Sequence, residues 1–244
     1  MSLSPWSTFE PANVSFCEPR LDGWIVEPAN AWSNVAYIAV AIWLLNRALR
    51  DKRQVLLLIG ATSFLVGLGS FAFHATGTFI GQYCDEGSMF LISSLMVTLS
   101  LRRLRGWSSS TCVRVYVAMS AFSLVLLAVV KTSGILTFMA QIGTTMGLEF
   151  YLSILARRRA DKVNYRPLWI AFGMYWGASL AWFGDLFRIV CKPESAHVFN
   201  GHVVWHVITA LCLAVYYRFE EQFTGGSPLV AASEYDAVRL TQRV

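Results

Sequence analysis

Three of the four histidines in this 244-residue chain stand where they could share one metal ion. His202 and His206 are four residues apart at the start of an apolar run, and His74 ends another apolar run far upstream. Residues i and i+4 of a helix project from one face, so the imidazoles of His202 and His206 can hold the same ion. Two such ligands with a distant third predict zinc, and the fourth coordination position that they leave open is typical of a catalytic site. His197 lies in a polar loop and is left out of this set.

Two further polar residues, Ser70 and Asp85, accompany His74 in the sequence. Ser70 precedes His74 by one helical turn, and Asp85 follows it by eleven residues, near the start of the next apolar run. Asp85 is placed to take a proton from a zinc-activated water and pass it to a leaving group, or else to orient a ligand histidine. The Ser70 hydroxyl can donate to a developing oxyanion, or else Ser70 is a small residue at a helix contact. The pattern predicts a hydrolase, and a hydrogen-bonded polar cluster without metal is the alternative.

The composition indicates an integral membrane protein, because 55% of the residues are hydrophobic and only 14% are charged. Residues 1–29 are a polar lead-in without the apolar core of a signal peptide. We therefore expect an all-α membrane protein, a seven-transmembrane helix bundle within residues 30–223, followed by a flexible cytoplasmic tail over residues 224–244. The stretches long enough to cross about 30 Å of hydrocarbon are 30–46, 54–75, 85–101, 113–131, 135–156, 167–190 and 202–218.

The distribution of Lys and Arg predicts the orientation of the bundle. Basic residues are concentrated after the first, third, fifth and seventh stretches, which places the N-terminus outside or in the lumen and the C-terminus in the cytoplasm. All candidate site residues then lie in the outer leaflet. Cys17 and Cys191 also fall on the outer side, where a disulfide is compatible with an oxidising compartment. Because the basic residues form short clusters between apolar runs, the net charge of +5 does not indicate a nucleic-acid partner.

These motifs resemble those of the alkaline ceramidases, which belong to a superfamily of seven-helix membrane hydrolases that includes adiponectin-receptor-like and Per1-type proteins. The resemblance implies zinc bound by His74, His202 and His206, with Ser70 and Asp85 around a metal-bound water. It implies that ceramide is split into a sphingoid base and a fatty acid. The segments that carry the resemblance are Phe16-Cys17-Glu18, Glu27 with Asn30 and Asn34, Gly69 to His74, Asp85-Glu86, Trp182 with Asp185 and Cys191, and His202 to His206.

The same resemblance implies a calcium site in the N-terminal segment, and here the match is partial. Glu18 and Glu27 match, and Asp22 is available as a substitute from a neighbouring position. However, Ser15 stands where the family motif has Asp, and Arg20, in a stretch that is less acidic than the family's, would oppose a cation. Calcium prefers several oxygen ligands. The alternative is a segment that a Cys17–Cys191 disulfide holds in place.

Two other functions stay open at this point. The same site could hydrolyse another lipid ester or amide, or the chain could be a lipid-sensing receptor or scaffold with structural zinc. Short loops offer little surface for a cytoplasmic partner, so no obligate protein partner is expected and a membrane lipid is the expected substrate. The sequence fits a multi-pass protein of a bacterial inner membrane or of a eukaryotic endoplasmic reticulum, Golgi or plasma membrane.

Overall fold

In the computed structural model, which describes residues 4–223, seven long helices and one short helix form most of the described chain. The predicted flexible tail of residues 224–244 lies outside the described residues. In chain order the helices are α1 (Pro28–Ser33), α2 (Val35–Arg50), α3 (Gln54–Thr76), α4 (Phe79–Arg105), α5 (Ser109–Val129), α6 (Gly134–Arg159), α7 (Arg166–Leu186) and α8 (Gly201–Glu220), with a 3-10 turn at Glu221–Phe223.

Four helices in the described part of the chain are long and apolar enough to cross a membrane. They are Gln54–Thr76, Phe79–Arg105, Ser109–Val129 and Gly201–Phe223. Large apolar side chains on α5 also face outward, and Phe122 is 67% exposed. An outward apolar surface of this kind is stable in lipid and unfavourable in water. The chain is therefore an all-helical membrane protein.

The described residues group into two compact units. One contains the N-terminal segment, α1 to α3, the start of α4 up to Met89, and Arg166–Phe219 with α7 and α8. The other contains Phe90–Tyr165 and, among the described residues, Glu220–Phe223. Every residue that the sequence proposes for the site belongs to the first unit.

The second unit has a buried charge cluster in its interior. Arg103 donates to both carboxylate oxygens of Glu220, at 2.9 and 2.8 Å, and also to Glu149. All three side chains are at least nine-tenths buried. Buried charges are tolerated when they are paired and hydrogen-bonded, so this cluster joins α4, α6 and the end of α8 within the unit.

One predicted boundary differs in a way that matters for the site. The third stretch was expected to begin at Asp85, but α4 begins at Phe79 and Asp85 lies in its second turn. The reason is a cap at Thr78, whose hydroxyl accepts a hydrogen bond from the Gly81 N–H at 3.2 Å. Thr is among the residues that start helices in this way. Asp85 is thus held on a regular helix.

Candidate metal centre

His74, His202 and His206 converge in the first unit. One ring nitrogen of each lies within 4.8 Å of those of the other two, and all three side chains are buried. The Nε2 atoms of His74 and His202 are 3.0 Å apart. Zinc held at about 2.0–2.1 Å by tetrahedral imidazoles would separate their nitrogens by roughly 3.3 Å. The donor set and its spacing therefore fit a zinc ion.

Two helix ends bring these imidazoles together. His74 lies in the last turn of α3, whereas His202 and His206 occupy the first two turns of α8. The rings of His202 and His206 are 4.3 Å apart between centroids, as expected for residues one turn apart on one helical face. The cluster thus combines two ligands from one helix with one from another.

Ser70 and Asp85 lie at the same cluster. The Ser70 Oγ is 3.2 Å from the His206 Nε2, and the Ser70 hydroxyl lies beside the Asp85 carboxylate, with which it interacts. Both side chains are buried. The structure therefore brings together all five residues that the sequence singled out for catalysis and zinc binding.

A close contact between helix backbones places Ser70 beside Asp85. A Cβ built on Gly69 would lie 2.5 Å from the carbonyl oxygen of Cys84, so only a glycine allows α3 and α4 to approach this closely. Gly69 directly precedes Ser70, and Cys84 directly precedes Asp85. The glycine contact consequently sets the distance between the two candidate catalytic side chains.

The N-terminal segment contacts each of the three histidines, which the sequence did not predict. The Glu27 Oε2 is 2.7 Å from the His74 Nδ1, and the Ser33 Oγ is 2.7 Å from the His206 Nδ1. The Phe16 ring packs on the His202 ring with centroids 3.7 Å apart. Residues that support metal-binding histidines in this way control ring orientation and tautomer.

These hydrogen bonds define which ring nitrogen faces the cluster. An ionised Glu27 carboxylate can only accept, so the His74 Nδ1 carries the proton and donates it. The Ser33 hydroxyl already donates to the Asn30 carbonyl at 2.8 Å, so it accepts from the His206 Nδ1–H. In both rings the Nε2 lone pair is left for a metal. Ser33 and Phe16 carried no chemical signal in the sequence.

The Glu27 carboxyl is held in its ionised form despite its burial. Burial by itself raises the pKa of Glu27. The hydrogen bond from His74, the Asn30 amide and the Arg20 guanidinium outweigh burial, and the pKa of Glu27 is lowered. An ionised carboxylate behind an imidazole makes its Nε2 a stronger ligand.

A disulfide and a buried carboxylate hold the N-terminal segment against the site. Cys17 and Cys191 form a disulfide with Cα atoms 5.4 Å apart. Asp185 accepts from the Cys17 N–H at 2.8 Å and from the His202 N–H at 3.3 Å. The same carboxylate thus links the segment to the first turn of α8.

The three residues proposed for calcium do not fit that ion. The Glu18 carboxylate accepts from the Ala29 and Asn30 N–H groups, at 2.9 and 2.8 Å, and the Glu27 carboxylate faces His74. Asp22 is exposed. Calcium requires six to eight oxygen ligands around one point, whereas these carboxylates are directed to protein donors. His197, left out of the zinc set, contacts Glu18 at 3.1 Å and not the histidine cluster.

The fold and the site define a class: a helical membrane protein with a buried three-histidine centre next to a serine and an aspartate. A family model described as Ceramidase matches residues 10–228. The chain belongs to the ceramidase family, whose activity is the hydrolysis of an amide bond. It is also similar to alkaline ceramidase 1 of Mus musculus, with 22% identity over 222 residues, covering 86% of this chain and 79% of that protein.

Proposed function

We propose that this protein is a zinc-dependent amidase of the membrane that hydrolyses ceramide to a sphingoid base and a fatty acid. The observation that carries the proposal is the cluster of His74, His202 and His206, in a chain of the ceramidase family. Two of the three imidazoles are oriented by hydrogen bonds that leave Nε2 for the metal. A receptor or scaffold has no need for a serine and an acid at such a centre.

The neighbouring side chains supply the proton transfers that amide hydrolysis requires. When bound by His74, His202 and His206, zinc would lower the pKa of a water to about 7 and so supply a nucleophile at neutral pH. Asp85 accepts the proton of the attacking water and returns it to the amide nitrogen as the carbon–nitrogen bond breaks. Ser70 donates a hydrogen bond to the oxygen of the carbonyl while charge develops on it.

The proposal includes seven membrane crossings by α2 to α8. About 20 apolar residues span the ~30 Å of hydrocarbon. Of the additional helices, α6 and α7 have 26 and 21 residues, whereas α2 has 16 and reaches this length only together with α1, from which Asn34, itself in a helical conformation, separates it. Basic residues lie in the last turns of α2, α4, α6 and α8, as expected if those ends are cytoplasmic. The histidines at the end of α3 and the start of α8 are then near the outer face, where a lipid amide enters laterally and water from outside.

The test is hydrolysis of labelled ceramide by purified, zinc-loaded protein in lipid vesicles. We expect the wild type to release fatty acid, and the His202→Ala variant to lose at least about a hundredfold in rate, because it lacks a zinc ligand and with it the several kcal/mol of transition-state stabilisation that the metal supplies. His197→Ala is the matched control, since it removes a histidine outside the cluster, and it should retain the wild-type rate.

A panel of lipids tests the substrate. Ceramide, an N-acyl amino lipid and a lipid ester of equal chain length should be offered at equal surface concentration. The proposal expects ceramide to be turned over fastest. Turnover of the ester alone, abolished by His202→Ala, would assign the site to a different hydrolase, and no turnover of any lipid by zinc-loaded protein would contradict the proposal.

A further inference from the structure

The Glu27 carboxylate is shared between a candidate zinc ligand and an arginine. Its Oε2 faces the His74 Nδ1 at 2.7 Å, and its Oε1 lies 3.4 Å from the Arg20 Nε. The Asn30 side-chain amide donates to Oε2 at 3.2 Å. Glu27 is almost fully buried, so its charge requires a compensating cation. The Arg20 guanidinium, which forms an ion pair with Oε1, provides such a cation.

The local backbone holds Arg20 at this position. The Leu21 N–H donates to the Val26 carbonyl at 2.8 Å, which closes the loop between Arg20 and Glu27. The Arg20 Nη2 donates to the Val14 carbonyl at 3.5 Å. The guanidinium lies over Gly77, where a Cβ would come within 3.4 Å of it. A fixed guanidinium here keeps the carboxylate oriented toward His74.

The Arg20 guanidinium beside the Glu27 carboxylate also disfavours the binding of a metal cation such as calcium there. Calcium is bound by several anionic and carbonyl oxygens with a net negative environment. The positive charge of Arg20 lies 3.4 Å from one of the two Glu27 oxygens, and the other oxygen faces His74. Glu18, the other matching acid, is occupied by two backbone N–H groups.

We propose that Arg20 is a positioning residue that supplies, from the chain itself, the positive charge behind Glu27 and His74, so that the zinc site of this protein is organised without calcium. The inference rests on the proposed function for its zinc and extends it to regulation. It assigns Arg20 and Glu27 to one relay, in which the guanidinium orients the carboxylate and the carboxylate orients the imidazole. A change in calcium concentration then leaves the zinc site unchanged.

Two measurements that use no ceramide test this inference. In the first, full-length protein is equilibrated in buffer with zinc and about 5 mM calcium, above the Kd of weak calcium sites. The number of zinc and calcium ions bound per chain is then measured by mass spectrometry. We expect zinc and no calcium in the wild type. In the second, the Kd for zinc is measured by chelator competition, with and without that calcium. We expect calcium to leave the wild-type Kd unchanged.

Variants of Arg20 complete the test. Arg20→Gln should weaken zinc binding about two- to fivefold, the effect of losing a partly exposed ion pair. Arg20→Lys, which keeps the charge, should lose less, and Lys192→Gln, at an exposed basic residue elsewhere, should bind zinc like the wild type. Stoichiometric calcium in the wild type, or unchanged zinc binding by Arg20→Gln, would overturn the inference. If zinc binds as expected but the protein does not hydrolyse ceramide, the proposed function is refuted. The inference about Arg20 then still stands.

Discussion

The Glu27 carboxylate lies 2.7 Å from the His74 Nδ1, and the Glu27 N–H donates to the His74 carbonyl at 3.0 Å. One residue of the polar N-terminal segment therefore fixes both the backbone and the ring of a histidine in the last turn of α3. Ser33 hydrogen-bonds the ring of His206, and the Phe16 ring packs on that of His202. The segment is part of the site and not a lead-in to it.

Substitution of Glu27 by Gln should weaken zinc binding by about 10- to 100-fold, the usual cost of losing a carboxylate partner of a metal-binding histidine. The amide keeps the size of the side chain but not its charge. Chelator competition measures the effect. Glu194→Gln, which neutralises an exposed acid, is the control and should bind zinc as the wild type does. Equal zinc affinity for Glu27→Gln and wild type would show that Glu27 does not support His74.

Gly69→Ala should separate α3 from α4 at the level of Ser70 and Asp85. The added Cβ would meet the Cys84 carbonyl oxygen at 2.5 Å, and overpacking of this kind costs about 1–3 kcal/mol. We expect a lower midpoint of thermal unfolding together with a loss of ceramide turnover that exceeds any loss of bound zinc.

The matched control for that substitution is Gly173→Ala, because a Cβ at Gly173 in α7 meets nothing within 4 Å. In a helix Ala is favoured over Gly by about 0.5–1 kcal/mol. Gly173→Ala should therefore unfold at the same temperature as the wild type or higher. If both variants behave alike, the contact between Gly69 and Cys84 does not position the site.

Loss of the Cys17–Cys191 disulfide should destabilise the protein and loosen the N-terminal segment. The bond closes a loop with a sequence separation of 174 residues, and removal of a native disulfide typically costs about 2–5 kcal/mol. Cys17→Ser, Cys191→Ser and the double variant should share one lowered unfolding midpoint. Cys112→Ser, at a free cysteine, should not change it. If the two single variants unfold at different temperatures, a local effect of one substitution, and not loss of the disulfide, sets the unfolding midpoint.

The sequence predicted the helices and the five central residues because both depend on local periodicity. The spacing of His202 and His206 is a property of a single helix, and the apolar runs set α3 and α8 to within two residues. The nearness of His74, Ser70 and Asp85 followed from placing the ends of the predicted helices at one depth. Neither feature depends on the path of the connecting segments.

The roles of Glu27, Ser33 and Phe16 could not be predicted in the same way. Phe16 and Glu27 lie in a segment without helical or strand periodicity, whose path is fixed by long-range contacts such as that of Cys17 with Asp185. Ser33 ends the short helix α1, and nothing in its own spacing indicates a histidine 173 residues away. The family resemblance assigned Glu27 to a calcium site, and the sequence around this acid does not indicate that its partner is His74. The start of α4 was missed because a Thr78 cap is a weak signal beside a strong apolar run.

The zinc dependence of ceramide hydrolysis is measured by following activity as a function of zinc content. Metal-free protein should be prepared with a chelator, returned to vesicles with ceramide, and titrated with zinc while bound zinc and released fatty acid are both measured. Hydrolysis should rise in proportion to bound zinc and saturate at about one ion per chain, in the wild type and in His197→Ala but not in His202→Ala. Ceramide hydrolysis that persists in fully metal-free protein, or that is absent when the zinc site is full, would contradict this zinc dependence.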